Sequence, residues 1–319
     1  PMITSFALTT PRFTPNQDGV SDRVGISVVV LKEAEVSAYL LDTSGRRYAI
    51  AEREGVRRLE GEQGFRREFD YEGGVDINAE PPPDGTYTLI VEAQDAVGQR
   101  VRRAELLTIA QGGKPYAEIV GQPVGPDVVF MVRPYEERFA SSAEQPGDLV
   151  EPPASDSDFN FTEIVVPVGD LLVFSLVVEN YGASPIRTSG PPPGTVYQQT
   201  QLAAALGQFD QPGVWRVGLQ CQTSSDSFPW RWALGDASTL TSELDPATGN
   251  TYLYLPPGER VVVWGAVRMT EYVPTFNPQT CYAGLIHEGV NISVRNAVAG
   301  ARSIRLQTTD AVGSFNVSP

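Results

Sequence analysis

Three side chains near the N-terminus have the chemistry of a calcium site. Asn16, Asp18 and Asp22 follow one another at short spacing, and amide and carboxylate oxygens are ligands that Ca²⁺ prefers in proteins. The twelve-residue calcium loop with a closing Glu is absent from this run. The same three side chains could instead accept hydrogen bonds from nearby backbone N–H groups and hold a tight turn. Calcium is therefore the one candidate cofactor, and a self-capped turn is the structural alternative.

An aromatic pair later in the chain is a candidate ligand platform. Trp230 and Trp232 are two positions apart, so on an extended strand they project to the same face. A flat aromatic pair of this kind can stack against sugar rings, which would make a polysaccharide a partner. The alternative is that both indoles pack into the core, the commoner fate of large aromatic side chains.

The two cysteines, Cys221 and Cys281, are 60 positions apart. They can form one disulfide that closes a large loop, or remain two buried thiols. A disulfide is expected if the protein is exported, because disulfides persist in oxidising compartments. It would act as a staple between strands.

Catalytic constellations are missing from the sequence. His287 is the single histidine, and no Gly-x-Ser-x-Gly motif presents a nucleophile that it could serve. Neither a zinc-site spacing nor a phosphate-binding glycine loop is present. Carboxylate pairs could serve a glycosidase, but 39 acidic residues make any one pair uninformative. We therefore predict that the protein is not an enzyme.

Short strands and turns, rather than helices, dominate the pattern. Val24, Ile26, Val28 and Val30 alternate with smaller residues, as expected of a half-buried strand. In the second half, apolar runs at 164–168, 171–179, 215–222, 251–255, 260–269, 282–286, 290–294 and 303–306 are separated by Gly, Pro, Asn and Asp. The sequence predicts an all-β chain of two tandem Ig-like β-sandwich domains, residues 1–112 and 113–319. The second domain would carry a long acidic loop, 136–163, and a C-terminal tail.

Four segments of the first domain resemble a known family. Residues 13–22 read Phe-Thr-Pro-Asn-Gln-Asp-Gly-Val-Ser-Asp, and turn segments follow at 42–45, 83–87 and 95–98. Together they resemble the Ig-like domain of flagellar hook-capping proteins and of related C-terminal domains in secreted bacterial proteins. Relatives usually carry Trp-Asp-Gly where this chain has Phe-Asp-Tyr-Glu-Gly at 69–73. The resemblance implies an extracellular scaffold, spacer or anchor and no catalysis. The second domain is similar to Ig-like modules of bacterial surface proteins.

Charge and hydropathy limit the partners. A formal net charge of -15 and a pI near 4.5 disfavour nucleic acid, because a polyanion is repelled. No run of about twenty apolar residues is present, so the chain is not expected to span a membrane. It begins with Pro, and its first ten residues lack the pattern of a signal peptide. We expect a mature, processed protein located outside the cell or at its surface.

Both ends of the chain carry apolar residues that could contact a neighbouring molecule. These candidate assembly residues are Met2, Phe6 and Leu8 at the N-terminus and Val312, Phe315 and Val317 at the C-terminus. Terminal arms can add strands to the sheet of a neighbour, although the first could equally be a strand of its own domain and the second a self-docked tail.

We therefore predict a non-enzymatic exported structural protein, a subunit of an extracellular filament or surface scaffold. Its partners would be copies of itself or other cell-surface proteins. The alternatives are a glycan-binding or spacer module of a secreted enzyme or adhesin, and a flagellar hook-capping scaffold.

Overall fold

The computed structural model describes residues 2–52, 64–121, 127–135, 150–152, 163–292 and 296–308. These residues contain 22 β-strands, three short 3₁₀ helices and no α-helix. They divide into two compact units, residues 1–115 with 182–184, and residues 116–181 with 185–319. The predicted domain boundary at residue 112 lies close to this division.

Unit 1 is built from eight strands in two sheets. The strands are β1 (Ile3–Leu8), β2 (Arg12–Phe13), β3 (Val24–Val30), β4 (Glu35–Leu41), β5 (Arg47–Ile50), β6 (Phe65–Tyr71), β7 (Gly85–Gln94) and β8 (Arg100–Ile109), and a 3₁₀ helix spans Val75–Ile77. One sheet has the order β1-β3-β6 and the other β2-β8-β7-β4-β5, with β2 parallel to β8.

The core of unit 1 lies between these two sheets. Val24, Ile26, Val28 and Val30 of β3 are all buried, while the residues between them are partly exposed. The inward face of β3 joins one cluster with residues of the opposite sheet, such as Leu89. The period-2 alternation of the sequence therefore fixes which face of this strand is buried.

The N-terminal segment belongs to this core. β1 pairs antiparallel with β3, Met2 and Ile3 are buried, and Phe6 and Leu8 pack against the same cluster. The alternative that this segment is a strand of its own domain is therefore confirmed, and the proposed assembly role of Met2, Phe6 and Leu8 is wrong, because these side chains pack inside unit 1. The C-terminal residues Val312, Phe315 and Val317 lie outside the described residues, as does most of the acidic loop 136–163.

Unit 2 contains the remaining fourteen strands. They are β9 (Ala117–Val120), β10 (Val128–Arg133), β11 (Glu163–Pro167), β12 (Leu171–Asn180), β13 (Ile186–Thr188), β14 (Val196–Gln198), β15 (Trp215–Cys221), β16 (Trp230–Ala233), β17 (Thr241–Leu244), β18 (Thr251–Leu255), β19 (Arg260–Arg268), β20 (Gln279–His287), β21 (Asn291–Ile292) and β22 (Ala299–Gln307). The 3₁₀ helices are Ala203–Leu206 and Pro274–Phe276.

Three sheets make up unit 2. Strands β10-β12-β19-β14 form one, with β9 also pairing with β12; β11-β22-β20-β15-β16 form the second, with β21 on β20; and β13-β18-β17 form the third. Phe174 and Val263 of the first sheet share a buried cluster with Val217 and Leu285 of the second. The predicted all-β fold class is confirmed, and each unit packs β-sheets around a core of its own.

We predict that Ile3→Ala destabilises unit 1 by about 2–5 kcal/mol, because it leaves a cavity in a packed core. The matched change on the exposed side of the same strand, Ser5→Ala, should stay within about 0.5 kcal/mol. All four Trp lie in unit 2, so tryptophan fluorescence does not follow unit 1. Pulsed hydrogen–deuterium exchange over β3 during urea unfolding would measure the difference. Equal effects of the two substitutions would contradict the placement of β1.

Candidate functional site

The turn that contains the calcium candidates is capped by its own side chains. The Asp22 carboxylate accepts hydrogen bonds from the backbone N–H of Asp18 (3.2 Å) and of Gly19 (2.7 Å). Asp18 in turn accepts from the N–H of Val20 (2.7 Å), and Asn16 accepts from the N–H of Asp18 (3.1 Å). Short carboxylate bonds to backbone N–H groups hold the chain in one conformation. The structure therefore uses these side chains for the turn.

Burial makes this turn electrostatically unusual. Asn16 and Asp18 are buried. Desolvation, reinforced by the nearby Asp18 carboxylate, raises the pKa of Asp22 to about 7, although the backbone N–H groups oppose the shift. The described part of the chain holds no group of three or more His, Cys, Asp or Glu side chains that could bind a metal ion. A cation would have to compete with the N–H donors, and calcium at this turn stays a prediction.

The tryptophan pair is part of the core of unit 2. Trp230 and Trp232 are both buried. The Trp232 ring makes edge contacts with Phe174 (4.7 Å between centroids) and Tyr197 (5.0 Å). A Cβ atom at Gly265 would collide with its indole. The glycan-platform prediction for this pair is wrong, because a ring that is packed in the core cannot stack on a sugar.

The two cysteines form a disulfide. Cys221 and Cys281 are directly opposite residues of the antiparallel strands β15 and β20, and both are buried. The predicted staple between strands is therefore confirmed. It closes a loop with a sequence separation of 60.

A buried ion pair, which sequence analysis did not find, lies near the start of β15. Arg216 Nη1 is 2.8 Å from Glu288 Oε1, and the two side chains are only 1% and 2% exposed. Arg231 Nη1 approaches the same oxygen at 3.0 Å. Desolvation lowers the pKa of Arg216, and Glu288 opposes that shift. One buried carboxylate thus faces two guanidinium groups.

The Glu288 carboxylate and Arg216 hold the segment around residues 209–211. The Gln211 N–H donates to Glu288 Oε2 at 2.8 Å. Arg216 donates through Nη1 to the Phe209 carbonyl (3.2 Å) and through Nε to the Ser189 carbonyl (2.6 Å). The ion pair therefore fixes the backbone of a loop as well as the two charges.

Arg231 connects the same loop to a second one. Its Nη1 donates to Asp210 Oδ1 at 2.6 Å. Its Nε donates to the Phe228 carbonyl at 3.0 Å and its Nη2 to the Ser227 carbonyl at 3.3 Å. Phe228 has a positive φ of 47°, a conformation that costs energy for a residue with a side chain. The guanidinium thus bridges two loops that are distant in sequence.

These loops enclose an open recess of about 450 Å³. Its walls are residues 202–204, 208–210 and 226–229, together with Arg231. Phe209 is 66% exposed at this site. We call this site the Phe209 recess. It brings an exposed aromatic ring, two carboxylates and a guanidinium together in one place.

No sequence motif identifies the Phe209 recess. The available signal is a charged residue within or next to an apolar strand. Arg216 lies within strand β15, whose other residues are mostly apolar, and Glu288 directly follows β20. Charged residues are almost never fully buried unless they are paired. Such positions therefore indicate an ion pair, although they do not identify its partner.

Fold and site together define a disulfide-bonded β-sandwich module with two units. No protein-family model and no curated protein matches the chain. CopC from Methylosinus trichosporium OB3b is 14% identical over 34% of this chain and 91% of its own, with a TM-score of 0.20. The fibronectin(III)-like modules of CbhA from Clostridium thermocellum are 8% identical over 96% of both chains, with a TM-score of 0.27. Similarity at this level says nothing about the activity of this chain. Within the described residues, no helix has the length and hydrophobicity required to cross a membrane.

We predict that Glu288→Gln destabilises unit 2 by about 3–5 kcal/mol, because two arginines lose their buried counter-charge. Asp210→Asn is the matched control. Asp210 also binds Arg231 Nη1, but its side chain is 78% exposed. The Asp210→Asn substitution should therefore lower the free energy of unfolding by less than about 1 kcal/mol. Tryptophan fluorescence during urea unfolding would measure both. Similar losses for the two variants would contradict a dominant buried pair.

The raised pKa of Asp22 makes the stability of unit 1 depend on pH. Because the pKa of Asp22 rises from 3.8 to about 7 on folding, the folded state binds the proton of the Asp22 carboxyl group more tightly than the unfolded state does. The contribution of Asp22 to the free energy of unfolding is therefore fully present below about pH 4 and is lost as the pH rises through about 7. Asp22→Asn should remove this contribution. Pulsed hydrogen–deuterium exchange over unit 1 during urea unfolding at pH 5 to 8, with the labelling pulse held at one pH, would detect the change.

The control for this pH experiment is Asp42→Asn. Asp42 also caps a turn of unit 1, but its hydrogen bonds, led by that from Ser44, lower its pKa. Its stabilisation is therefore lost as the pH falls, the opposite sense to Asp22. An Asp22→Asn protein whose stability keeps the wild-type dependence between pH 5 and 8 would contradict the assignment to Asp22.

Proposed function

We propose that this chain is a non-enzymatic, exported structural protein that serves as a subunit of an extracellular filament or a cell-surface scaffold. The observation that carries the proposal is the buried Cys221–Cys281 disulfide. Disulfides of this kind form and persist in oxidising compartments outside the cytosol. Two β-sandwich units suit a load-bearing or spacing role, and they are consistent with the hook-cap resemblance of residues 1–112.

An edge strand of unit 2 supports the assembly part of the proposal. β17 pairs with β18 and, within the described part of the chain, with no strand on its other side. Leu244 at the end of β17 is 66% exposed. An edge strand presents backbone groups that can pair with another chain, and apolar side chains add to such contacts. We assign β17 as the acceptor edge.

The donor in this proposal is the C-terminal segment 309–319 of a second copy. It contains the apolar residues Val312, Phe315 and Val317. Phe315 and Val317 are two positions apart and can supply alternate side chains to one face of an added strand. Another cell-surface protein could occupy the same edge. The flagellar hook-capping function rests on the first unit alone and stays a prediction for that unit.

The buried ionisable groups of unit 2 support a structural rather than a catalytic role. Arg216 and Glu288 are engaged with each other and with loop backbone. The His287 ring stacks on Trp215 with 4.3 Å between centroids. These contacts stabilise the fold, and they hold the side chains away from solvent, where a substrate would arrive.

Light scattering and negative-stain microscopy of the full chain should show polymers or regular fibres. Deletion of 309–319 should leave single particles, and Leu244→Lys should weaken assembly by placing a charge at the acceptor edge. Val97→Lys is the control, because Val97 is 88% exposed in a turn of unit 1. A 319-residue chain that stays monodisperse near 34.6 kDa would refute assembly. Polymers unaffected by the deletion would refute the donor.

A further inference from the structure

We propose that the Phe209 recess of unit 2 binds neutral carbohydrate, such as a segment of a surface polysaccharide. This goes beyond a scaffold role, because it gives the module a ligand of its own. The volume of about 450 Å³ lies within the range of about 300–1,000 Å³ that is typical of small-molecule sites. Its open mouth leaves room for a glycan chain to continue past the bound sugars.

The exposed ring of Phe209 can stack on a sugar. Phe209 is a large apolar side chain that the fold leaves mostly exposed, in a recess lined by both apolar and polar residues. The flat face of an aromatic ring offers a large apolar surface with defined geometry, which matches the C–H face of a sugar ring. Leu202, also exposed, extends the apolar part of the wall.

The polar groups of the recess can form hydrogen bonds with sugar hydroxyls. Asp210 and Asp226 supply carboxylate acceptors, Gln208 supplies an amide with both donors and acceptors, and Arg231 supplies donors. Sugar hydroxyls donate and accept hydrogen bonds at neighbouring positions, so a wall of mixed character suits them. Arg231 and Asp210 already bind each other, and Asp226 accepts from the Ser227 N–H, so the remaining acceptor capacity of the two carboxylates is what a sugar hydroxyl can use.

The charge of the lining selects among sugars. Two carboxylates and one guanidinium line the recess, and the whole chain has a formal net charge of -15. An acidic polysaccharide would be repelled at long range. A cationic ligand would meet the Arg231 guanidinium, whose positive charge lies in the same wall. A neutral polyhydroxyl ligand avoids both conflicts.

The recess is also held in shape before any ligand arrives. Arg231 hydrogen-bonds to the carbonyls of Ser227 and Phe228 on one wall and to the Asp210 carboxylate on another. The Ala203 N–H donates to the Pro229 carbonyl at 2.9 Å, which joins the third wall. A preorganised site binds more tightly, because less ordering has to accompany binding.

The proposed carbohydrate site contains Arg231 of β16 but neither Trp230 nor Trp232. Trp230 and Trp232 of β16 form the inner side of the strand and are buried. Arg231 lies between them in sequence and, with alternating side-chain direction, belongs to the opposite face, where the recess is. The strand therefore contributes to the recess through Arg231.

Isothermal titration calorimetry of the full chain with defined oligosaccharides tests the proposal. The probes are cellohexaose, xylohexaose and mannohexaose as neutral sugars, oligo-galacturonate as an acidic sugar and hexalysine as a basic peptide. We expect at least one neutral sugar to bind. Phe209→Ala should weaken that binding by about tenfold or more, the effect of losing about 1.4 kcal/mol of stacking.

Phe276→Ala is the matched control, because Phe276 is an exposed aromatic of the same unit on a different segment, and it should leave affinity unchanged. Asp226→Asn should weaken sugar binding with no loss of stability. Failure of all three neutral sugars to bind, or equal affinity of the Phe209→Ala and wild-type proteins, would overturn the proposal. Binding of hexalysine that depends on Asp210 and Asp226, without sugar binding, would replace the sugar with a basic peptide. Assembly measured by light scattering should be unaffected by Phe209→Ala.

Discussion

One buried carboxylate, that of Glu288, holds two loops of unit 2 in place. Removing Glu288 and Arg216 from water is expensive, and their attraction offsets the cost only when the geometry and the remaining hydrogen bonds are good. The structure meets this condition in part: loop N–H and C=O groups bind both side chains, while Arg216 Nη2 is buried with no hydrogen-bond partner among the described residues. The loop at 209–211 is consequently fixed, and Arg231, held by the same carboxylate, fixes the loop at 226–229. An exposed recess is thus shaped by an ion pair, Arg216–Glu288, whose two side chains are almost completely buried.

In the core of unit 2, a large side chain packs against a residue that has no side chain. Trp232 fits because Gly265 on a facing strand has no side chain, and the indole N–H donates to the Thr195 carbonyl at 2.9 Å. The disulfide acts differently. It joins neighbouring strands that already pair, so its main effect is on the unfolded chain, whose freedom is reduced by closing a long loop. Packing defines the native structure, and the cross-link limits the alternatives.

Turns show how burial changes the same local chemistry. Asp42, Asp95 and Asp22 each accept backbone N–H bonds at a turn of unit 1. The first two have a lowered pKa, led by hydrogen bonds from Ser44 and Lys32 respectively. Asp22 has a raised pKa, because desolvation and a neighbouring carboxylate outweigh its backbone donors. The hydrogen-bond pattern is local, whereas the sign of the shift is set by the surroundings.

The sequence by itself determined the all-β class, the inward face of β3 and the self-capping capacity of the turn at 16–22. These features depend on period-2 alternation and on hydrogen bonds over a few residues, which a linear pattern displays directly. The cysteine pair could be anticipated because the chain has no other thiol. Only the tertiary structure decided that Glu288 meets Arg216, 72 positions away, that both tryptophans are buried, and that the N-terminal segment joins its own sheet. Each of these depends on which distant surfaces pack together, and spacing along the chain carries no record of that choice.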